Sequence, residues 1–547
     1  MDDEKIRRIV IENALKYGKS DTKFVINKII GENKDLVKNI KELVQKVNQI
    51  VNEVNSLSRD KLEEEASIRG ITLKKEEKEF DLKPLPNVNG EVILRIPPEP
   101  SGYMHLGHAI SFMINYLYKL KYNGKLVLRF EDTNPEKVKK EYIDYFKKYI
   151  SWLGINWDVE KIASNDMEII YSYGEKLIKE GKAYVCTCSK EQIKENRLKG
   201  IACSCRSRSV EENLELWELA KTGRIEEGKA TVRLIGDMKS EDMSLRDPNI
   251  FRIKFTKYKN YTLWPLYDFE NTVEDYLDKV THIIRSNEFK NSVQNLIREY
   301  LNFTKPTIIQ YARFNFEGTP FSKRKIRELI SQGKISSWED LRLPTMSSIE
   351  RRGILPQAIK EFVIRNGYSE SSHTYEWEAL LTLNRKILDP ISKRLFFVID
   401  PVKININYDG EIEIPYHPTQ NLGKRKIKVN GFVYISKNDL EYDKLLRLKD
   451  FVSVRINKDN TAVIVSKEKI GNEKIIQWVG NDFLNAKLVK INELLKGEDI
   501  NPESLKEYDG FLESNGSLLS EGEIVQFERI GFARLDNKEK NVFIYSC

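Results

Sequence analysis

The stretch LRIPPEPSGYMHLGHAI sets two imidazoles, His105 and His108, three residues apart with Gly107 between them. At that spacing the rings project from one helical face. Pro97, Pro98 and Pro100 cannot join a regular helix, so the helix holding the histidines starts only after Ser101-Gly102. Backbone N–H groups at such a helix start favour phosphate. Gly107 lacks the Cβ that would keep a flat base off the backbone. Zinc binding by the two histidines is the rival reading, and it lacks a nearby third ligand.

Two further groups could do chemistry. Far downstream, Phe321-Ser322-Lys323-Arg324-Lys325 concentrates cations, which would stabilise a transition state if fixed where negative charge develops. Taken alone, such a run is ordinary basic surface. Cys186-Thr187-Cys188 and Cys203-Ser204-Cys205 form CxC-x14-CxC, and four thiolates can close a tetrahedral zinc site. The spacing is tighter than CxxC, and reduced, half-buried cysteines without metal are the alternative. Arg206 and Arg208, just after, suit backbone phosphates or plain solvation.

The elements that must position these groups follow from periodicity. EVILRI and KLVLRFE are apolar, β-branched runs suited to buried parallel strands. Between them GHAISFMINYLYKLKYNG predicts a helix ending at Gly124, which makes a strand–loop–helix–strand crossover unit. The histidine loop then opens at the C-terminal end of a strand, where open α/β sheets bind ligands. After the second strand, Asp132-Thr133-Asn134-Pro135-Glu136 offers N-cap candidates and a first-turn proline for the next helix. From about residue 386 onward, NINYDGEIEIPY, KIKVNGFVYISK and FVSVRINKDNTAVIVS predict short strands broken by Asp-Gly, Asn-Gly and Asp-Asn turns, a β-barrel or sandwich pattern.

The N-terminal residues read as polar helices. Leu36, Ile40, Leu43, Val47, Ile50 and Val54 recur at three- and four-residue intervals, a stripe that packs on the protein's own body or on a partner helix. This leaves a protein partner through these helices open. The charged KLEEEASIRGITLKKEEKEFDLKPLPNVNG then reads as a linker.

A chain of 547 residues exceeds what one core serves, so three or more domains are expected. The formal charge of +7 permits a polyanionic partner without requiring one. No apolar run approaches the roughly 20 residues that span a bilayer, and MDDEKIRRIV lacks a signal-peptide core, so a cytoplasmic protein with no membrane partner is expected.

PPEPSGYMHLGHA, with its proline-rich approach, resembles the ATP-binding His-Leu-Gly-His signature of class I aminoacyl-tRNA synthetases, in particular the glutamyl- and glutaminyl-tRNA synthetases of archaeal and eukaryotic type. FSKRK resembles the mobile lysine loop of the same enzymes, and RFEDTNPEK and WPLYDFENTVEDYLDKVTHIIRSNEF resemble further parts of their catalytic fold. The resemblance covers roughly residues 88–547. It implies an α/β Rossmann-like class I synthetase catalytic domain, flanked by N-terminal helices, an inserted acceptor-binding domain, a helical domain and C-terminal β-barrels. The expected division is 1–85 helical extension, 86–164 first catalytic half, 165–266 inserted acceptor-binding domain, 267–328 second catalytic half, 329–392 helical stem-contact domain and 393–547 anticodon-binding β region.

The implied activity is ATP-dependent ligation of glutamate to tRNA through an adenylate, with tRNA, L-glutamate and ATP as partners, Mg²⁺ on the phosphates and a structural Zn²⁺ on Cys186, Cys188, Cys203 and Cys205. Carried over residue by residue, His105, His108 and Lys323 act on the triphosphate, and Pro98, Glu99, Gly107, Ser322 and Arg324 bind ATP. Arg95, Glu131, Tyr267, Asn271 and Arg285 would form the amino-acid pocket. A dicarboxylic amino acid needs cations at two ends and an anion at its amine, which that set supplies. A glutamine–tRNA ligase is the runner-up, and charging of both glutamate- and glutamine-accepting tRNAs stays open. A catalytically inactive tRNA-binding scaffold is the alternative from another class, against which stand both intact ATP signatures.

Overall fold

The computed structural model describes residues 3–17, 20–32, 40–57, 59–69 and 82–547, in two compact units, Met1–Phe80 and Asp81–Cys547. The first unit carries helices α1 (Asp3–Tyr17), α2 (Thr22–Glu32), α3 (Ile40–Asn55) and α4 (Arg59–Ile68). Leu43, Val47, Ile50 and Val54 of α3 are buried in a core with Ile6, Val10, Val25 and Ile29. The stripe is therefore occupied within the unit itself. Ile40, expected in that stripe, is 41% exposed at the helix start, and Leu36 lies outside the described residues. The expected linker begins as helix instead: Leu62 and Ala66, four residues apart on α4, face the same core.

The second unit is built around parallel strands β1 (Ile93–Ile96), β2 (Lys125–Phe130) and β3 (Val159–Ile162), with Arg95 opposite Val127 and Val127 opposite Val159. Helices α5 (Leu106–Tyr122) and α6 (Lys140–Trp152) connect them. Asn123, at φ 46°, ends α5, and Gly124 follows where an added Cβ would meet the Val92 carbonyl at 2.3 Å. The α6 start differs from expectation. Asp132 and Asn134 do not cap it; Asp132 accepts from the Ser164 amide (2.8 Å) and the Tyr258 hydroxyl (2.6 Å), and Asn134 engages Glu99 and Arg252. With those side chains drawn to tertiary partners, the helix begins only at Lys140.

An insertion follows: α7 (Met167–Lys179), then β4 (Ala183–Cys186), α8 (Lys190–Lys199), α9 (Val210–Lys221), β5 (Thr231–Leu234), β6 (Asn249–Ile253) and β7 (Leu263–Pro265), the four strands forming an antiparallel sheet in that order. Helix α10 (Tyr267–Leu277), strand β8 (His282–Ser286), α11 (Ser292–Leu301) and strand β9 (Thr307–Tyr311) complete the parallel region, β8 pairing with β9. The two parallel groups meet where the Thr281 amide donates to the Ile93 carbonyl at 3.0 Å. Helix α12 (Lys323–Ser331) carries the lysine motif, and helices at 346–351, 356–366 and 377–388 follow it.

Residues 394–545 form two seven-stranded sheets, nearly closed barrels with separate apolar cores. Asp409-Gly410 and Asn430-Gly431 do not break strands as expected. Both lie inside the long antiparallel pair 401–415 and 424–436, with Asp409 opposite Asn430 and Gly410 opposite Val429, and Gly431 falls in the register shift between Asn405 and Asp409. A ladder this long overrides the local turn preference. Asp459-Asn460 does turn, with Asn460 at φ 62°. Among the described residues no helix is long and apolar enough to cross a membrane.

Candidate active site

A cleft of about 560 Å³ opens at the C-terminal ends of β1, β2 and β8. The loop after β1 brings Pro98, Glu99, His105, Gly107 and His108 to it, the strand ends bring Arg95, Glu131 and Arg285, and α10 brings Tyr267. Lys323, from the start of α12, reaches it from the other side.

His105 is the N-cap of α5 and His108 its third residue, and the two rings lie 3.8 Å apart between centroids. The His105 backbone N–H donates to His108 Nδ1 at 3.2 Å, so a neutral His108 carries its proton on Nε2. Burial, with Lys323 and Arg313 adding to it, pushes the His105 pKa down to about 3, and burial with His105 holds His108 well below its usual range. Both are neutral donors and acceptors at neutral pH. His105 Nδ1 is buried and, among the described residues, without a partner, and a Cβ on Gly107 would sit 3.1 Å from it. The glycine therefore keeps a methyl from packing against that nitrogen.

Lys323 Nζ donates to Ser101 Oγ at 2.9 Å, and its aliphatic stem runs over Gly102, whose added Cβ would lie 3.4 Å from Lys323 Cδ and Cε. Arg327, one turn on, donates to the Ser101 carbonyl at 3.4 Å. The two motifs thus meet at one loop. Burial lowers the Lys323 pKa, opposed by the Glu99 carboxylate. Ser322 accepts from the Lys325 amide as the N-cap of α12, and Arg324 is exposed; neither lines the cleft.

The floor of the cleft is a buried charge network. Arg129 donates to Glu131 (3.1 Å), Asp275 (2.9 Å) and Asp278 (2.7 Å), and Arg95 Nε donates to Asp275 at 3.1 Å. Arg95 Nη2 is left buried and unpartnered, a donor available to an anion. Glu131 also accepts from Asn271 Nδ2. Burial raises its pKa while Arg129 and Arg95 hold it down. Asn271 is fully buried behind Glu131 and does not line the cleft, in contrast to its expected place in the pocket wall. Its amide faces Glu131 and Gln294 because α10 turns this residue inward. Arg285 is held by Tyr267 (3.3 Å), Asn291 (2.6 Å) and Gln294 (3.0 Å).

Sequence reasoning missed Arg129, Asp275, Gln294 and Ser101. Arg129 had a signal: an arginine inside the otherwise apolar strand KLVLRF must find carboxylates. Asp275 and Gln294 had none, since their partners are fixed only by tertiary packing.

In the insertion, the four cysteine sulfurs lie within 4.8 Å of one another, with Cys186–Cys203 and Cys188–Cys205 each at 3.8 Å. Sulfurs at about 2.3 Å from a tetrahedral centre are about 3.8 Å apart, so this donor set fits such a metal. Burial works to raise the Cys205 pKa, but bonds from Thr187 and Cys188 and the Arg208 charge outweigh it and bring the thiol to about 7. Arg233 Nη1 approaches Cys186 at 3.8 Å and Cys203 at 3.9 Å, placing a positive charge beside both sulfurs. Arg208 donates to the Val185 carbonyl and Thr187, and Arg206 to the Gly236 carbonyl, so both brace this loop.

Residues 91–390 match the family model described as the class I (E and Q) tRNA synthetase catalytic domain, and 392–469 and 475–536 match the two anticodon-binding domains of the same group. The chain is 39% identical to a glutamate–tRNA ligase of Korarchaeum cryptofilum over 99% of both chains. It is 37% identical to one of Nitrosopumilus maritimus over 100% of both, and 35% identical to one of Methanocaldococcus jannaschii over 99% of both. A crystal structure of a glutamate tRNA ligase from Elizabethkingia meningosepticum with its amino acid aligns at 19% identity and TM-score 0.43, over 55% of this chain and 70% of that one.

Proposed function

The chain belongs to the class I tRNA synthetases of the E and Q type, and on that premise we propose that it is a glutamate–tRNA ligase driven by ATP. The observation that carries the reading is the meeting of Lys323 with the Ser101-Gly102 loop beside His105 and His108, across a cleft whose floor holds Arg95 with its Nη2 unpartnered among the described residues.

In the proposed reaction, the glutamate α-carboxylate attacks the α-phosphorus of ATP and pyrophosphate leaves. Glu131, fixed by Arg129 and Asn271, receives the α-ammonium. Arg95 Nη2 and Arg285 supply the two cations that a dicarboxylate requires, with Tyr267 beside Arg285. Pro98, Glu99, His105, Gly107 and His108 form the ATP side, where the His108 Nε2 proton can be donated to a phosphate oxygen. Lys323 stabilises charge that grows on the pentavalent phosphorus and the leaving pyrophosphate, so it lowers the barrier more than it tightens ground-state binding. Ser322 supports it by capping α12. The terminal ribose hydroxyl of tRNA then attacks the adenylate carbonyl, and AMP leaves. Mg²⁺ would screen the phosphates during the first step. A structural zinc on Cys186, Cys188, Cys203 and Cys205 would hold β4 to the loop at 203–208. The setting of this work is the cytoplasm, where tRNA and ATP are available.

Aminoacylation of purified glutamate- and glutamine-accepting tRNAs, each with glutamate and with glutamine, tests the reading. Charging with glutamate alone is the expected result; comparable charging with glutamine would overturn the specificity, and no charging at all would overturn the activity.

A further inference from the structure

A second cavity, of about 370 Å³, lies apart from the active-site cleft. Its walls come from the segment around Thr319, the helical region (Arg352, Trp377, Leu381) and the loop Ile491–Glu503 of the C-terminal sheets. The first wall belongs to the stretch leading into Lys323. The hairpin at 495–500 closes the cavity by donating from the Leu495 amide to the Gly318 carbonyl at 3.0 Å.

Arg352 is the unusual member. It is only 6% exposed, its Nε is buried without a partner, and among the described residues no side chain or carbonyl accepts a hydrogen bond from its guanidinium. No carboxylate pairs with it either, although Glu378, Glu493 and Glu503 also line the cavity. Glu378 is engaged with Arg385, and Glu503 with Lys506. Of the other two cations lining the cavity, Arg342 is bound to Asp340 at 2.8 Å and Lys496 is exposed. Burial alone, with no charge opposing it, lowers the Arg352 pKa to about 10, so the guanidinium is still charged at neutral pH. What it does have is a flat stack, its carbon 4.5 Å from the centre of the Trp377 ring. The ring is itself fixed by a bond from Nε1 to Thr319 Oγ1 at 2.9 Å.

A buried, unpaired guanidinium destabilises a fold, and its planar fork of donors matches an oxyanion. Trp377 also opens the helix Trp377–Leu388, whose N-cap Glu376 makes no side-chain cap, so the positive end of the helix adjoins the same cavity. We infer that this cavity is a second anion site, in which Arg352, held flat by Trp377, binds a phosphate group. The choice of phosphate over carboxylate rests on the tRNA-ligase reading; the presence of an anion site does not. The phosphate belongs either to the tRNA backbone or to free phosphate or pyrophosphate. The cavity sits where the part matched as catalytic domain meets the part matched as anticodon-binding, within reach of a tRNA that engages both on this face.

The test compares wild type with Arg352→Met and Arg352→Lys, using the full chain and purified cognate tRNA. Wild-type charging activity is measured first, so that failure of the ligase reading is seen independently of this site. Thermal melting should show Arg352→Met at least as stable as wild type, because a buried unpaired charge has been removed. Binding of tRNA is then measured across a salt series, and binding of inorganic phosphate and pyrophosphate by calorimetry. Loss of tRNA affinity by severalfold, with the slope of log K against log salt reduced by about 0.7–0.9, assigns a backbone phosphate. Unchanged tRNA binding with loss of phosphate or pyrophosphate binding assigns the free anion. Arg352→Lys should restore part of either effect. If the Met variant binds tRNA, phosphate and pyrophosphate as wild type does, or if it melts at a markedly lower temperature with no specific binding defect, the inference is wrong and Arg352 is a packing residue.

Discussion

Lys323 Nζ and Ser101 Oγ, 222 residues apart in sequence, stand 2.9 Å from each other. That single bond pins the lysine motif to the loop that precedes the histidines. Among the described residues no carboxylate is bound to Lys323, and burial lowers its pKa, so its charge is poorly solvated and ready for a phosphate oxygen. Replacing Lys323 with Ala should slow adenylate formation roughly 10²–10³-fold, while ATP binding weakens far less. Pyrophosphate exchange set beside equilibrium ATP binding checks this; equal losses in both would give the lysine a ground-state role.

Gly107→Ala should act through His105. The new methyl would sit 3.1 Å from the imidazole and 3.6 Å from Phe321, closing the space above an unpartnered nitrogen. The expected outcome is a KM for ATP raised about tenfold or more, corresponding to about 1.4 kcal/mol, with a melting temperature close to wild type. A normal KM for ATP would show that this space is not used by the nucleotide.

The two histidines also predict a pH dependence of stability. His105 has a folded pKa near 3 against 6.5 unfolded, so between those values the unfolded chain binds more protons and stability falls as pH falls. The slope is at most about 1.4 kcal/mol per pH unit for each such group. His105→Asn should therefore lose less stability than wild type between pH 6.5 and pH 4. Melting curves of both proteins over that range decide it; His108, whose own depression His105 adds to, moves the difference in the same direction. Identical slopes would refute a depressed pKa.

Protein prepared without chelators should contain one zinc per chain, and Cys203→Ser should lose it. Metal analysis by mass spectrometry gives the answer. Chelation should also lower the melting temperature of the insertion, because its binding energy is folding energy. Metal-free fresh protein of full stability would leave the four cysteines as reduced packing groups.

Arg129→Ala should be among the most destabilising single changes in the catalytic region. The guanidinium is fully buried against three carboxylates, and its removal leaves them uncompensated at a cost of about 3–5 kcal/mol. Chemical denaturation measures it. A loss below about 1 kcal/mol would mean that the carboxylates take up protons or water at little cost.

The residues legible in the sequence are those whose position follows from a local element. His105, Gly107 and His108 sit at a strand-to-helix junction announced by prolines, and Arg95 and Glu131 sit at the ends of apolar strands. Their alternation and punctuation are written in consecutive residues. Asn271, Ser322 and Arg324 also stand in recognisable motifs, yet which way each side chain points depends on how its helix is rolled against the sheet. Sequence spacing does not encode that roll. The same limit explains α6 and the Asp-Gly and Asn-Gly pairs: Asp132 and Asn134 are good caps, and Gly410 and Gly431 good turn formers, until distant partners offer stronger alternatives. The convergence of the CxC pairs was legible because paired cysteines at that spacing tend to gather, and their four sulfurs do lie within 4.8 Å of one another.

The bond between Arg95 and Asp275 joins positions 180 residues apart, with the whole insertion between them. On a translating ribosome adding about 5–20 residues per second, roughly 10 to 35 s separate the emergence of the two. Through that interval Arg95 and Arg129 have no Asp275 to pair with, so the buried network beneath the cleft is incomplete. The insertion, whose strands pair among themselves, can mature in the meantime. Birth order thus makes the nucleotide cleft the late product of synthesis, and a chain truncated before Asp275 would carry the histidine signature without any catalytic floor beneath it.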